Sequence, residues 1–175
     1  MRELLSAGLG KVLTPEMAAD IEMAARRHLA YVEKVGRLAD EIVRHPQDDL
    51  PVLHHFADGI YGRQIDMPAG TLLIGAPHRL ESIVVVSKGK IMIATQDGPV
   101  TVSAGETLVC RAGTQNVGFA VEDVRWTNFF PNPGNICEPE ALVEMVSFMK
   151  ADEILGGRNN VQLLMSGKTS AGALK

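Results

Sequence analysis

The stretch "GAPHRLESIVVVSKG", residues 75–89, places a histidine and a glutamate close together at the head of an apolar run. His78, Arg79 and Glu81 precede a branched apolar run and a Ser-Lys-Gly turn. A histidine and a glutamate are both metal ligands. A catalytic transition-metal site usually takes about three protein side chains and keeps one position open. His78 and Glu81 would be the two ligands if a metal bound, and Asn116 is a poor third for iron or zinc. His45 and the adjacent His54 and His55 are further histidines. The pair reads as preceding the first strand, and neighbours on a strand would face opposite ways. The expectation is therefore no metal and no cofactor. Nucleophilic chemistry has no better support: Cys110 in "TLVCRAG" reads as packing. Neither a Gly-x-Ser-x-Gly elbow nor a phosphate loop is present. Arg63, Arg79 and Arg111 could each grip a carboxylate or phosphate bidentately, or serve as solvated rim charges or intersubunit pairs.

Three textures position these residues. Residues 14–46 read as a helix, with Thr14 as N-cap, Pro15 at the first helical position and Glu16 in the first turn. Ile21, Ala25, His28, Val32, Val35, Ala39 and Ile42 recur at alternating steps of four and three, which is helical periodicity. That stripe packs on its own domain or on another subunit. Residues 51–131 switch to about eight short runs rich in Val, Ile, Thr and aromatics, separated by turn signals such as PAG, QDG and PNPG. Such spacing predicts a sandwich or barrel. Residues 138–150 return to helix, with Leu142, Met145, Val146 and Met149 on one face and Pro139 at its start. The tail "MSGKTSAGALK" is linker-like. The domain reading is residues 1–50 as a helical extension, 51–134 as a barrel and 135–175 as helix plus tail.

A net charge of −4 argues against non-specific nucleic-acid binding, which needs a clustered positive field. No apolar run reaches membrane-spanning length. The start, "MRELLSAGLGKVL", lacks an apolar signal core. Cys110 and Cys137 read as buried thiols of a reducing compartment.

The strand region resembles the cupin superfamily. Gly89 fits the closing glycine of the first cupin motif and Gly105 the opening glycine of the second, while "RAGTQN" (111–116) takes the place of Pro-x-Gly-x-x-His. "HHFADGIYGRQIDMPAGTLLIG", "SKGKI" and "VEDVRWTNFF" further resemble a group of small cupin-like proteins encoded by tailed phages. The resemblance covers about residues 54–131. It implies a mainly β, cupin-like jelly-roll barrel flanked by an N-terminal helical region and a C-terminal helix. Counting back from Gly89 puts Ser82 at the acidic-ligand position and Ala76 and His78 at the paired histidines. The phage version puts that pair at His78 and Leu80. Asn116 replaces the second-motif histidine, and Glu81 is one residue out of register, which flips its face. The metal site is thus degenerate.

Alternation places Leu72, Ile74, Ala76 and His78 on one core-facing side, Tyr61 and Arg63 with Ile65 and Met67, and Val124, Trp126, Asn128 and Phe130 together. The expected cavity lining is Tyr61, Arg63, His78, Asn116, Trp126 and Asn128, with Ser82 or Glu81. Three functions compete. The first is a non-enzymatic assembly module of phage type that self-associates, with other phage structural proteins as partners, in the host cytoplasm or a virion. The second is a binder of a sugar, nucleotide or carboxylate; the third is a metal-dependent enzyme with an unusual ligand set. Self-association is expected through the long helix, burying Val32, Val35, Leu38 or Ile42 between subunits.

Overall fold

A computed structural model describes residues 14–46 and 50–148, together with the backbone of 160–162. The chain divides into two compact units, Met1–Arg37 and Leu38–Lys175. Helix α1 spans Pro15–Ile42. Thr14 caps it as expected: its hydroxyl accepts the Met17 amide at 3.1 Å. Glu22–Arg26 and Glu33–Arg37 ion pairs at i,i+4 support its solvent side. Val35 and Ile42 are buried within the chain, whereas Ile21 and Val32 stay exposed.

Strands β1 (Val52–Ala57), β2 (Gly59–Met67), β3 (Thr71–Ile74), β4 (Ser82–Lys88) and β5 (Lys90–Thr95) come first. Next are β6 (Gly98–Ser103), β7 (Thr107–Cys110), β8 (Val117–Ala120) and β9 (Val124–Asn132). Helix α2 (Pro139–Val146) and the short strand β10 (Asn160–Gln162) close the order. One five-stranded sheet, sheet A, runs β1-β2-β9-β4-β7, and the other, sheet B, runs β10-β3-β8-β5-β6. Every pairing is antiparallel. Without β1 and β10, the order 2-9-4-7 over 3-8-5-6 is that of a jelly roll: apart from the β5–β6 hairpin, the chain alternates between sheets and its antiparallel pairs join strands that are not consecutive in sequence. The chain is mainly β, with a helix before the barrel and a short helix after it.

The core lies between the sheets. Ile65, Met67, Val84, Val86 and Trp126 of sheet A meet Ile91, Ile93, Val102 and Ala120 of sheet B. Full burial of each aliphatic side chain contributes about 1.5–3 kcal/mol. Gly89 turns the chain from β4 to β5 at φ 72°. A Cβ there would lie inside the Asp123 carbonyl, so both the conformation and the space require glycine.

Three sequence expectations change. His54 and His55 lie within β1 rather than before the first strand. The run "TLLIGAPH" is a strand only to Ile74; residues 75–77 are irregular, and His78 forms an isolated bridge with Ser147. Leu73 joins Ile74 in lining the interior, so alternation across 72–78 does not hold. β10, in a segment read as tail, pairs with β3. Met149 and residues 163–175 lie outside the described residues.

Candidate functional site

A cavity of about 110 Å³ lies between the sheets and is bounded on one side by Val143, Val146 and Ser147 at the end of α2. Its apolar wall includes Ile65, Met67, Ile91, Ile93 and Phe130, and its polar atoms come from Arg63, His78, Asn116, Trp126, Asn128 and Ser147. By the same measure one water needs about 10–15 Å³, and an apolar cavity of about 150 Å³ takes a benzene. The space suits a small organic molecule.

Sheet register brings the polar groups together. Arg63 on β2 faces Asn128 across the β2–β9 pair and His54 across β1–β2. Tyr61, two residues earlier, faces Phe130. Trp126 donates its indole N–H to Asn128 Oδ1 at 2.5 Å, and Asn128 Nδ2 donates to Ser82 Oγ at 3.1 Å. This chain of donors holds Asn128 in one orientation. Asn116 donates to Cys110 Sγ at 3.4 Å. His54 Nδ1 lies 2.9 Å from the Tyr61 hydroxyl, and the rings of Phe56, His54, Tyr61 and Phe130 continue as a stacked series.

His78 meets Phe130 edge-on at 5.2 Å, and its Nδ1 is buried without a hydrogen-bond partner. An orphaned buried ring nitrogen costs about 1–3 kcal/mol unless a ligand satisfies it. Arg63 makes no side-chain hydrogen bond or ion pair among the described residues, and no carboxylate lines the cavity.

The electrostatics have one sign. Burial works against the charged guanidinium of Arg63. Burial first, and Arg63 second, push His78 down to about 4. His54 is lowered by burial, then by Arg63 and His55. Tyr61 is raised by burial, and Arg63 opposes that shift. Both imidazoles are driven toward the neutral form, and the guanidinium remains as a half-buried positive charge facing the cavity.

Of the residues singled out in the sequence, Arg63, His78, Asn116, Trp126 and Asn128 line this cavity. Tyr61 is fully buried beside it, in a cluster with Phe130, Leu142 and Val146. Glu81 is exposed and outside the lining, because β4 begins one residue later and turns Ser82 inward instead. Ser82 reaches the site only through Asn128. Arg111 is exposed. Arg79 holds α2: its Nε donates to the Ser147 carbonyl at 2.6 Å and its guanidinium lies 5.1 Å over the Phe148 ring. Sequence reasoning did not find Ser147, which reaches the lining only because α2 docks there. Among the described residues no three His, Cys, Asp or Glu side chains converge as a metal set would. No described helix is long and apolar enough to cross a membrane.

Fold and site together define an eight-stranded jelly roll with a small, positively charged internal cavity. No family model and no curated protein matches the chain. It is similar to a cupin-2 domain protein from Shewanella frigidimarina, at 18% identity and TM-score 0.40, over 54% of this chain and 92% of that one. The cupin-2 domain of an XRE-family transcriptional regulator from Enterobacter cloacae gives 15% and 0.42, over 49% and 99%. A cupin superfamily protein from Desulfitobacterium hafniense gives 8% and 0.42, over 50% and 81%. The jelly-roll assignment rests on the strand order of this chain itself.

Proposed function

We propose that the chain is a binding protein whose barrel cavity takes a small carboxylate. The observation that carries this reading is Arg63, a half-buried guanidinium facing the cavity with no anionic partner among the described residues. Burying a charge unpaired is expensive, and a bound carboxylate would offset that cost bidentately. His78 Nδ1 would satisfy a second polar atom of the ligand, and Ile65, Ile91 and Phe130 would cover its apolar part. The cavity volume favours a small carboxylate over a sugar or a nucleotide. Binding rather than catalysis is the simpler reading. Burial pushes the Cys110 thiol up, away from the reactive thiolate, and the Asn116 hydrogen bond only partly opposes it.

The test is thermal unfolding against a panel of short-chain and aromatic monocarboxylates, with matched alcohols, phosphate, sugars and nucleotides. A carboxylate at a hundred times its Kd should stabilise by about 2.7 kcal/mol. That shift should be absent in Arg63→Met. A flat response to every carboxylate, or a shift that survives in Arg63→Met, defeats the reading.

The assembly role implied by the phage resemblance is a second reading. Met17, Ile21, Leu29 and Val32 are exposed along α1, which favours a helix that packs on something further. Its location, host cytoplasm or virion, belongs to that reading.

A further inference from the structure

We infer that the inward side of β1 is a second subsite beside the barrel cavity, taking a planar aryl ring carried by the same ligand whose carboxylate meets Arg63. This rests on the carboxylate reading of the cavity and adds the chemistry of the rest of the ligand. β1 is the edge strand of sheet A. His54 and Phe56 stand two residues apart on it, so they share a face, and they pair with Arg63 and Tyr61 of β2. Tyr61 is buried and Arg63 lines the cavity, which makes this the inward face of the sheet. The facing sheet normally covers such a face. Here His54 is exposed and Phe56 is 46% exposed. One exposed phenyl ring is ordinary, but a series of rings running from solvent to a cavity wall is not. Phe56 stacks on Tyr61 at 5.6 Å and 25°, His54 on Tyr61 at 5.8 Å and 18°, and Tyr61 on Phe130 at 6.1 Å and 20°. Phe130 belongs to the cavity wall. The shelf is set in place before any ligand arrives. Packing with Leu142 and Val146 fixes Tyr61, and its hydroxyl, 2.9 Å from His54 Nδ1, fixes the imidazole. His55, between the two shelf residues, faces the other way, where its Nε2 lies 3.2 Å from Gln64 Oε1.

Near-parallel rings receive a flat π system, through offset stacking and apolar burial together. Charge decides what that ring carries. Arg63 stands directly across from His54, and β1 contains no acidic residue to pair with it. A cationic ring is therefore repelled and an anion beside a neutral ring is favoured. Burial first, then Arg63 and His55, lower His54, so at neutral pH its imidazole is an uncharged ring. It does not compete with Arg63 for the carboxylate. Cross-strand neighbours stand about 4.5–5.5 Å apart at Cβ, so ring and carboxylate are joined by a short link of about one or two carbons. A nucleotide places a whole ribose between phosphate and base, which is longer than this spacing. The cavity, on the other side of Arg63, holds a small apolar arm on the carbon next to the carboxylate. The ligand class is an arylalkanoate branched beside its carboxylate, with the branch inside the barrel and the ring on β1.

Trp126 is the single tryptophan of the chain and lines the cavity, so its emission reports occupancy. The full chain is titrated with 2-methylpropanoate and with 2-methyl-3-phenylpropanoate, which differ by the ring alone. The phenyl acid should bind about tenfold tighter or more. Phe56→Ala should bring the ratio of the two affinities to within about threefold of unity. If that variant does not fold, Phe56→Thr suits an edge strand and makes the same test. Equal affinity for the two acids in the parent chain overturns the inference and leaves the carboxylate reading standing. So does a ratio that the Phe56 variants leave intact, which would put the ring inside the barrel. A 3-cyclohexyl analogue that binds as tightly as the phenyl acid would also overturn it, since a stacking shelf prefers a flat ring. Failure of both acids to bind would instead defeat the carboxylate reading, and this inference with it.

Discussion

Arg63 places a charge where the fold by itself gains nothing from one. Its neighbours Tyr61, His54 and His78 offer no negative charge. Arg63→Met keeps the stem's packing and removes the half-buried, unpaired charge. We expect the variant to be more stable than the parent by about 1–3 kcal/mol in urea unfolding, and to lose carboxylate binding. Equal or lower stability would mean that the guanidinium is well solvated or paired. His78 gives a second test. Its pKa is about 4 in the fold against an ordinary 6.5. Between those values the unfolded chain holds the proton more readily, so this contribution is complete above about pH 6.5 and is lost as pH falls toward 4. Its full size is about 3 kcal/mol. His78→Gln should flatten the stability profile across that window by this amount. An unchanged slope would assign the acid sensitivity to other groups.

At the scale of elements, the turn between β4 and β5 and the seating of α2 are the sensitive points. Gly89→Ala must move the Asp123 carbonyl or abandon the left-handed turn. The expected loss is about 3 kcal/mol or more, read as an earlier urea midpoint. Gly98→Ala has a positive φ but open space around it, and should cost less. α2 has eight residues, no side-chain N-cap and no basic residue in its last turn, so tertiary contacts hold it. Leu142 and Val146 pack on Tyr61 and Phe130, and Arg79 fastens the far end. Arg79→Ala should remove about 1–2 kcal/mol of local stability. Hydrogen exchange would show it as faster exchange at Ser147 and Phe148, which bond to Val143 and Pro77, with the barrel strands unchanged. Uniform acceleration would indicate that α2 and the barrel open as one.

Over the whole molecule the two thiols are unlike. The sequence reading had both buried, yet Cys110 is buried and Cys137 is exposed, and both are free. A thiol reagent should therefore titrate one cysteine quickly in the native protein and the second only on unfolding. Two fast thiols would mean that the wall around Cys110 opens readily. Along α1, Met17, Ile21, Leu29 and Val32 are exposed.

Period-two patterning was enough to assign β2 and β9, because Tyr61, Ile65 and Met67, like Val124, Trp126 and Phe130, alternate large buried groups over nine residues. It placed Arg63 and Asn128 on inward faces for the same reason. Thr14 and Pro15 located the start of α1, since capping is local chemistry. Glycine spacing located the turn at Gly89. Other features depended on contacts distant in sequence. His78 reaches the cavity from irregular chain, held by Thr114, Gly113 and Ser147 rather than by strand alternation. Glu81 was excluded by where β4 begins, a register set by pairing with β7 and β9. β10 forms because β3 offers an edge. Most consequential, the sequence contains acidic residues enough to pair every arginine, and only the folded arrangement leaves Arg63 facing the cavity without one. Local sequence sets which faces are apolar, whereas the meeting of charges is decided by strand order, which joins residues far apart along the chain.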